Sequence, residues 1–282
     1  MSLLHEALPR LAEPHTVSDE SAQRELGRID GITFQLKSLL DRLAALILLI
    51  PALPIIAILA IAVRLTSRGP GVYSQSRVGV GGRVFVMYKL RSMRIDAEAA
   101  SGPVWAGVAS DPRVTRLGYW LRKLHLDELP QLFNVIRGEM SLVGPRPERP
   151  EFVRVLAEQI PGYKQRLRVP PGITGLAQVN LPPDTDLDSV RRKIVLDCQY
   201  IDNATLLLDF RILVCTFLRV LGIRHGRAVW LLGLKRNVEI SSSTESSTAC
   251  NDDVRTDEPH VTPHAIRQRH DSDSAIHSTR PR

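Results

Sequence analysis

A long uncharged apolar segment limits what this chain can fold into more than any other feature. It runs from Leu43 to Val63, LAALILLIPALPIIAILAIAV, and holds 21 residues without a charge. As a straight helix it is long enough to span a bilayer core of roughly 30 Å. Pro51 and Pro54 lie in its middle, and a proline removes a backbone donor and bends or breaks a helix. The segment therefore predicts a membrane element with a break near its centre.

Basic residues flank this segment on both sides. They are Lys37 and Arg42 before it, and Arg64, Arg68, Arg77 and Arg83 after it. Because positive flanks favour the cytoplasmic side, both ends are expected there. A helix that enters the bilayer, bends at the prolines and returns to the same face satisfies both observations. A signal anchor or a buried core helix is the alternative.

Composition divides the chain into four parts. Residues 1–30 are expected to be a loosely ordered extension, 31–66 the re-entrant membrane region, 67–238 the folded body, and 239–282 a disordered tail. The tail is rich in Ser, Thr, Asp and His, and it offers too little apolar surface to offset chain entropy.

Charge is unevenly spread over these parts. The chain carries +7 in total, and residues 239–282 hold eight acids and five Lys or Arg, so +10 remains on residues 1–238. A basic body indicates anionic partners, which leaves nucleic acid, phosphorylated small molecules and a lipid surface open.

The body predicts an α/β fold that is mostly helical with a small strand component. Residues 84–90, VFVMYKL, alternate in the manner of a strand, and helical spacing of apolar residues runs from Asp111 to Ile136. Pro112 suits the entry of that helix and Gly138 its exit.

Two further helices are predicted near the end of the body, at Arg191–Ile201 and Leu206–Ile223. The second is apolar along much of its length, with arginines spaced along it. It is therefore either an amphipathic helix in the membrane interface or a core helix.

An adjacent acidic pair, Asp127 and Glu128, is the clearest candidate for chemistry. It lies among apolar residues, where a carboxylate needs a metal or cations to stay ionised. The nearby basic residues are Arg122, Arg137, Arg146 and Arg149. Carboxylates bind Mg²⁺ and guanidinium groups bind phosphate oxygens, so the pattern suits a metal and a diphosphate. From the residues alone, a solvated acidic pair on a helix face is still the better explanation.

Three other motifs have both a functional and a structural explanation. Lys89 and Arg91 in YKLRSM would share one side of a strand and bind phosphate, or simply form its polar face. The Gly-Pro-Arg-Pro turn would aim Arg146, or be a plain loop. The loop at 168–180, RVPPGITGLAQVN, would expose backbone donors to an anion, or be structural.

In combination these motifs resemble the bacterial sugar transferase family, the small monotopic polyprenyl-phosphate phosphoglycosyl transferases, over about Lys37 to Gly222. The matching elements are Asp41 with Pro54 thirteen residues later, SRGPGVYSQSRVG, YKLRSM, DPRVTRLGYWLRKLHLDELPQLFNVIRGEMSLVGPRP and PGITGLAQVN. One departure is Leu53 before Pro54, where the family commonly has serine. The small form implies no multi-span region before the apolar segment.

The resemblance implies a covalent mechanism and overturns the solvated-pair explanation. Asp127 would attack the β-phosphorus of a UDP-sugar, release UMP and pass the sugar phosphate to undecaprenyl phosphate, the first step in making an exopolysaccharide or another cell-surface glycan. Glu128 would help to hold Mg²⁺ or assist proton movement. Asp127 and Glu128 are accordingly the expected metal ligands.

The resemblance also supplies the expected partners and place. The candidate phosphate or substrate contacts are Lys89, Arg91, Arg122, Arg146 and Arg168, with Asp197 at an acidic position near the active site. The expected partners are a UDP-sugar, undecaprenyl phosphate and membrane lipid, with no nucleic acid, and a homo-oligomer is compatible with these features. The expected location is the cytoplasmic face of the bacterial cell membrane.

Two alternatives of function stay open at this point. A UDP-sugar hydrolase would use water in place of the lipid phosphate, and an inactive membrane-surface scaffold would need only the apolar anchor and the basic body. The identity of the sugar is open as well, with a neutral hexose weakly favoured by ERPEFV at 148–153.

Overall fold

The structure is a computed structural model that describes residues 31–97, 111–223 and 225–238. The predicted extension at 1–30 and the predicted tail at 239–282 lie outside the described residues. Within them the chain is mostly helical with two small sheets, which confirms the predicted mostly helical body with a small strand component.

The first helix, α1 (Gly31–Thr66), is 36 residues long and contains the whole apolar segment. Its stretch Phe34–Thr66 is long and apolar enough to cross a membrane by length and composition, with a mean hydropathy of 3.0. The backbone stays helical through Pro51 and Pro54, so the expected break does not interrupt the helix. Each proline removes one backbone hydrogen-bond donor, and the hydrogen bonds of the neighbouring turns maintain the helix. The re-entrant course stays a prediction.

The strands form two separate two-stranded sheets. They are β1 (Val72–Val78), β2 (Val84–Leu90), β3 (Ser141–Val143) and β4 (Gly172–Thr174). β1 and β2 pair antiparallel, with Tyr73 opposite Lys89, and β3 pairs parallel to β4. The strand predicted at 84–90 is confirmed with its bounds.

Seven further α-helices and three 3-10 helices complete the described fold. They are α2 (Arg116–Lys123), α3 (Leu132–Arg137), α4 (Pro150–Gln159), α5 (Leu176–Asn180), α6 (Leu187–Asp202), α7 (Leu206–Val220) and α8 (His225–Leu231), with 3-10 helices at Val80–Gly82, Leu126–Gln131 and Tyr163–Arg168. The helix predicted at Arg191–Ile201 is confirmed and lies within α6, and the helix predicted at Leu206–Ile223 is confirmed as α7, which ends three residues earlier at Val220.

The single helix predicted from Asp111 to Ile136 is wrong, because the chain there forms three pieces. His125 has a left-handed backbone (φ 55°), which ends the right-handed path of α2. A 3-10 helix follows, and Pro130 within it lacks the donor that an α-helix would use. The acidic pair therefore lies on a tight 3-10 turn.

The predicted ends of that region are half right. Thr115, rather than Pro112, caps the start of α2, since its hydroxyl accepts a hydrogen bond from the Gly118 amide. Gly138 ends α3 in the left-handed conformation (φ 78°), as predicted.

One face of α1 packs into the main hydrophobic core. Ala45, Leu49, Ala52, Ile56 and Val63 are buried there and recur at the spacing of a helix face. Most other apolar side chains of α1 are exposed, and only 22% of its most apolar window is buried. The helix thus has one face packed on the body, and most of its remaining apolar side chains are exposed in the described chain.

Three glycines let two loops meet at the carboxyl end of β3. A Cβ on Gly172 would lie 2.1 Å from the Gly144 nitrogen, and one on Gly175 would lie 2.2 Å from the Gly144 oxygen. Only residues without a side chain permit this approach. The Pro-Gly-Ile-Thr-Gly motif is therefore explained by packing around the turn that follows β3.

A buried polar cluster attaches α1 to the body. The Lys37 ammonium lies 3.0 Å from the Asp41 carboxylate, 2.8 Å from the Asp209 carboxylate on α7, and 2.8 Å from the Ser141 hydroxyl on β3. The Tyr200 hydroxyl donates to Asp209 at 2.7 Å. One buried ammonium thus joins α1, β3 and α7.

Replacing Lys37 tests this attachment. Lys37→Met leaves two buried carboxylates facing each other without their cation, and breaking a buried ion pair costs about 3–5 kcal/mol. We expect a clear fall in the melting temperature of the detergent-solubilised protein. Arg191→Met is the matched control, because its pair with Asp188 is exposed and such pairs contribute about 0–1 kcal/mol. Equal melting temperatures for the two variants would contradict the attachment.

Candidate active site

The two carboxylates of the acidic pair have different surroundings. Glu128 Oε1 accepts a hydrogen bond from the Lys89 ammonium at 3.0 Å and another from the Arg146 guanidinium at 2.7 Å. Asp127 is 7% exposed, and no residue in the described ranges donates a hydrogen bond to its side chain. The structure therefore brings together Asp127, Glu128, Lys89 and Arg146, and leaves the Asp127 carboxylate unengaged.

These surroundings shift the pKa values of the two carboxyl groups in opposite directions. Burial raises the pKa of Asp127, and the neighbouring charge of Glu128 raises it further. Burial acts the same way on Glu128, but the charges and hydrogen bonds of Arg146 and Lys89 outweigh it and hold the pKa of Glu128 well below its usual range. Glu128 is thus a fixed anion, and Asp127 is the member of the pair whose charge responds to its environment.

The pKa values of the two cations, Lys89 and Arg146, are shifted as well. Burial lowers the pKa of Lys89 although Glu128 opposes it, and the charge of Glu128 raises the pKa of Arg146. The Arg146 side chain keeps 37% exposure and the Lys89 side chain 17%. Both cations are therefore held by Glu128 while part of Arg146 stays open to a ligand.

Asn134 on α3 holds β2, and with it Lys89, beside the acidic pair. Its side-chain amide donates to the Val86 oxygen at 2.7 Å and accepts from the Tyr88 amide at 3.2 Å. These are the two bonds that a peptide group of a third strand would make to that edge. A second donation to Glu139, at 2.7 Å, satisfies the other amide hydrogen. Nothing in the sequence pattern singled out Asn134.

Arg146 lies between two prolines in the turn after β3, and side chains hold that turn. The Arg166 guanidinium donates to the Arg146 carbonyl at 2.7 Å, and the Arg77 guanidinium donates to the Pro147 carbonyl at 2.9 Å. The turn is therefore not a plain loop, since it aims Arg146 at Glu128.

Glu148 forms the centre of a buried ionic network next to this turn. It accepts from Lys193 at 2.8 Å and lies 3.8 Å from Arg77 and 3.9 Å from Arg166. Burial would raise the pKa of Glu148, but the three cations lower it to about 2. The sequence offers a signal for this network, because Lys193 interrupts the apolar face of α6.

The other predicted site residues lie at different places. Arg122 is half-buried and close enough for its charge to lower the pKa of Asp127. Arg91 lies just beyond β2, where its guanidinium binds the Ser67 and Arg68 carbonyls at the end of α1. The structure thus places Arg122 by the acidic pair and does not bring Arg91 to it.

Asp197 and Arg168 form ion pairs with residues outside the acidic pair. Asp197 is 2% exposed and lies 2.9 Å from the Arg166 guanidinium. Arg168 lies 3.7 Å from Asp202 near the protein surface.

The acidic pair offers two adjacent carboxylates, which are oxygen ligands of the kind that Mg²⁺ takes in proteins. In the described ranges, no three His, Cys, Asp or Glu side chains are grouped so that they could hold a metal ion. Mg²⁺ commonly takes one or two carboxylates and completes its ligands with phosphates and water. The unengaged carboxylate of Asp127, with Glu128 beside it, suits that kind of site.

Comparison with known proteins agrees with this geometry. The model of the bacterial sugar transferase family matches residues 32–222, about two thirds of the chain. The chain therefore belongs to the bacterial sugar transferase family. The match includes α1, the acidic pair, the Arg146 turn and α7.

Individual relatives show the same similarity. A Bacillus subtilis protein, provisionally named an undecaprenyl-phosphate N-acetylgalactosaminyl 1-phosphate transferase, is 54% identical over 132 residues, which cover 47% of this chain and 73% of its own. The undecaprenyl-phosphate glucose phosphotransferase of Komagataeibacter xylinus is 42% identical, over 67% of this chain and 36% of its own. The UDP-N-acetylgalactosamine-undecaprenyl-phosphate N-acetylgalactosaminephosphotransferase of Aeromonas hydrophila is 44% identical, over 64% and 43%. This chain therefore spans less than half the length of the last two.

Proposed function

We propose that this protein transfers a sugar 1-phosphate from a UDP-sugar to undecaprenyl phosphate and releases UMP, as the first step of a cell-surface glycan. The observation that carries the proposal is the acidic pair, in which Glu128 binds two cations and the Asp127 carboxylate has no partner in the described chain. The name of the Aeromonas hydrophila relative gives both a UDP-sugar and undecaprenyl phosphate, and the name of the Komagataeibacter xylinus relative gives undecaprenyl phosphate and glucose.

In the first step an Asp127 carboxylate oxygen attacks the β-phosphorus of the donor. The bond from that phosphorus to the oxygen bridging the two phosphates breaks, and UMP leaves with the bond's electron pair. A sugar-phosphoryl-aspartate remains. Asp127 suits this role because its carboxylate is unengaged, whereas Glu128 is bound by Lys89 and Arg146.

In the second step a phosphate oxygen of undecaprenyl phosphate attacks the same phosphorus. The bond to the Asp127 oxygen breaks, which regenerates the carboxylate and yields undecaprenyl diphosphosugar. Two displacements at one site predict ping-pong kinetics.

The basic residues bind the phosphates in both steps. Arg146 and Lys89 converge on one oxygen of Glu128, so a phosphate oxygen placed beside that carboxylate would meet two donors already oriented. Arg122 adds positive charge on the side of Asp127. Because Glu128 holds its two cations in place, its main role is to orient them.

Mg²⁺ held by Asp127 and Glu128 together with the donor phosphates would neutralise the charge of the diphosphate and of the leaving group. Lys89 and Arg146 lie on the Glu128 side of this site and would bind the remaining phosphate oxygens.

The lipid acceptor requires a site at the membrane surface, and two helices support such a place. In α1 the apolar residues outside the packed face are exposed. In α7 the buried residues include Ile212 and Cys215, whereas Leu207, Phe210 and Phe217 are more than 60% exposed. An exposed apolar face next to a packed face favours the interfacial alternative for α7. We propose that both helices hold the body on the cytoplasmic face, with α1 re-entrant.

The membrane course of α1 can be tested with cysteine labels. We place single cysteines near Arg42 and near Arg64, in a background where Cys250 is replaced and Cys198 and Cys215 stay buried. If α1 re-enters, a membrane-impermeant maleimide should label both positions from the cytoplasmic side of inverted vesicles only. Labelling of the two positions from opposite sides would establish a full span.

The transfer itself is tested by UMP release from a panel of UDP-sugars with Mg²⁺, with and without undecaprenyl phosphate. We expect release that depends on the lipid with one donor, and a loss on the order of 10³-fold or more in Asp127→Asn, since that variant lacks the nucleophile. Asp188→Asn, at an exposed position on α6, is the control and should keep full activity. Release without lipid would identify a hydrolase, and near-normal turnover in Asp127→Asn would refute the nucleophile.

The electrostatics of the acidic pair predict a pH dependence. Because burial and Glu128 raise the pKa of Asp127, the acid limb of kcat/KM should lie above the range of an ordinary aspartate. Glu128→Gln removes the negative charge that raises the pKa of Asp127, and it leaves the charges of Lys89 and Arg146, which lower that pKa. The acid limb of the residual activity should therefore move to lower pH. A limb that stays in place or rises would show that Glu128 does not set the charge of Asp127.

A further inference from the structure

The middle of the turn that carries Arg146 is held by other side chains. Pro145 and Pro147 have no backbone donor, so the turn can make few hydrogen bonds of its own. Backbone amides hold its two ends, since Gly172 donates to the Pro145 carbonyl and Val78 donates to the Glu148 carbonyl, both at 2.9 Å. Between these ends the carbonyl groups accept from side chains: Arg146 from the Arg166 guanidinium and Pro147 from the Arg77 guanidinium.

Arg166 is the more deeply buried of these two arginines and lies between two groups. It is 3% exposed, and its Nη2 atom lies 2.7 Å from the Arg146 carbonyl and 2.9 Å from Asp197. Its Nη1 atom donates to the Tyr163 hydroxyl at 3.2 Å. One planar guanidinium thus connects the Arg146 turn to α6, which a lysine could not do with the same geometry.

Asp197 is placed to hold Arg166 rather than to meet a substrate. Its side chain, on α6, is 3% exposed and faces the buried guanidinium of Arg166. A carboxylate this deeply buried needs a charged partner, and Arg166 is the partner that lies closest to it.

We propose that Arg166 and Asp197 are a positioning pair that sets Arg146 against Glu128 through the Arg146 backbone carbonyl. This inference rests on the proposed function for its effect on turnover. It gives Asp197 a role that differs from a direct substrate contact, and it adds Arg166, which the sequence did not indicate.

Arg166→Lys is the first test, because it keeps the charge that Asp197 and Glu148 need but loses the planar fork. Small displacements of a binding group can cost up to about 100-fold in rate, so we expect kcat/KM for the UDP-sugar to fall about 10- to 100-fold. In an Arg146→Ala background the same substitution should cost less than about twofold, since Arg146 is then no longer there to be positioned. Asp197→Asn should act in the same direction and serves if Arg166→Lys does not fold.

Leu156→Ala is the matched control for general destabilisation. Leu156 is buried at 1% exposure in the smaller core cluster beside Tyr163, and it has no contact with the Arg146 turn in that cluster. Its effect on kcat/KM should be small and should be the same with and without the Arg146→Ala substitution. If Arg166→Lys costs the same factor in both backgrounds, the positioning role is wrong.

Hydrogen–deuterium exchange provides a readout that does not need turnover. If Arg166 holds the turn, Arg166→Lys should speed exchange in the peptide covering residues 141–149, and Leu156→Ala should not do so selectively. Faster exchange there in a protein that turns over no UDP-sugar would support the positioning pair and refute the proposed function. Unchanged exchange would refute the positioning pair whatever the activity.

Discussion

The convergence of Lys89 and Arg146 on one oxygen of Glu128 is the interaction on which the site depends. It joins three parts of the chain, because Lys89 comes from β2, Glu128 from a 3-10 turn and Arg146 from the turn after β3. Two cations held at one buried anion would repel each other without it, so the anion is what keeps them together. The adjacent Asp127 is then left as the carboxylate available for chemistry.

The sequence predicted the elements of this site better than their arrangement. Local features sufficed for the strand at 84–90 and for Gly138 as a helix end, since alternation and a left-handed glycine are set by neighbouring residues. The long helix through Asp127 was predicted wrongly because its apolar spacing is helical, whereas His125 and Pro130 break the backbone path. Apolar periodicity does not report such a change of backbone.

The supporting residues could not be predicted because their partners are distant in sequence. Asn134 bonds β2 from 46 and 48 positions away, and Lys37 meets Ser141 from 104 positions away. A lone Asn or Lys in a helix has no local pattern that names its partner. For the same reason Arg91 was grouped with Lys89 by strand alternation, although it lies beyond the strand and binds the end of α1.

Strand β3 links the Lys37 cluster to the Glu128 cluster. At its start, Ser141 accepts from Lys37 of the membrane helix and donates to Asp41 at 2.5 Å; just after its end, the turn presents Arg146 to Glu128. Only five positions separate Ser141 from Arg146, so the chain between them can span at most about 18 Å. The contact of α1 with the body and the turn that carries Arg146 are therefore close together on one short stretch of chain. The proposed transfer from a soluble donor to a lipid acceptor would use this link, because it keeps the cations of the site near the long apolar helix α1.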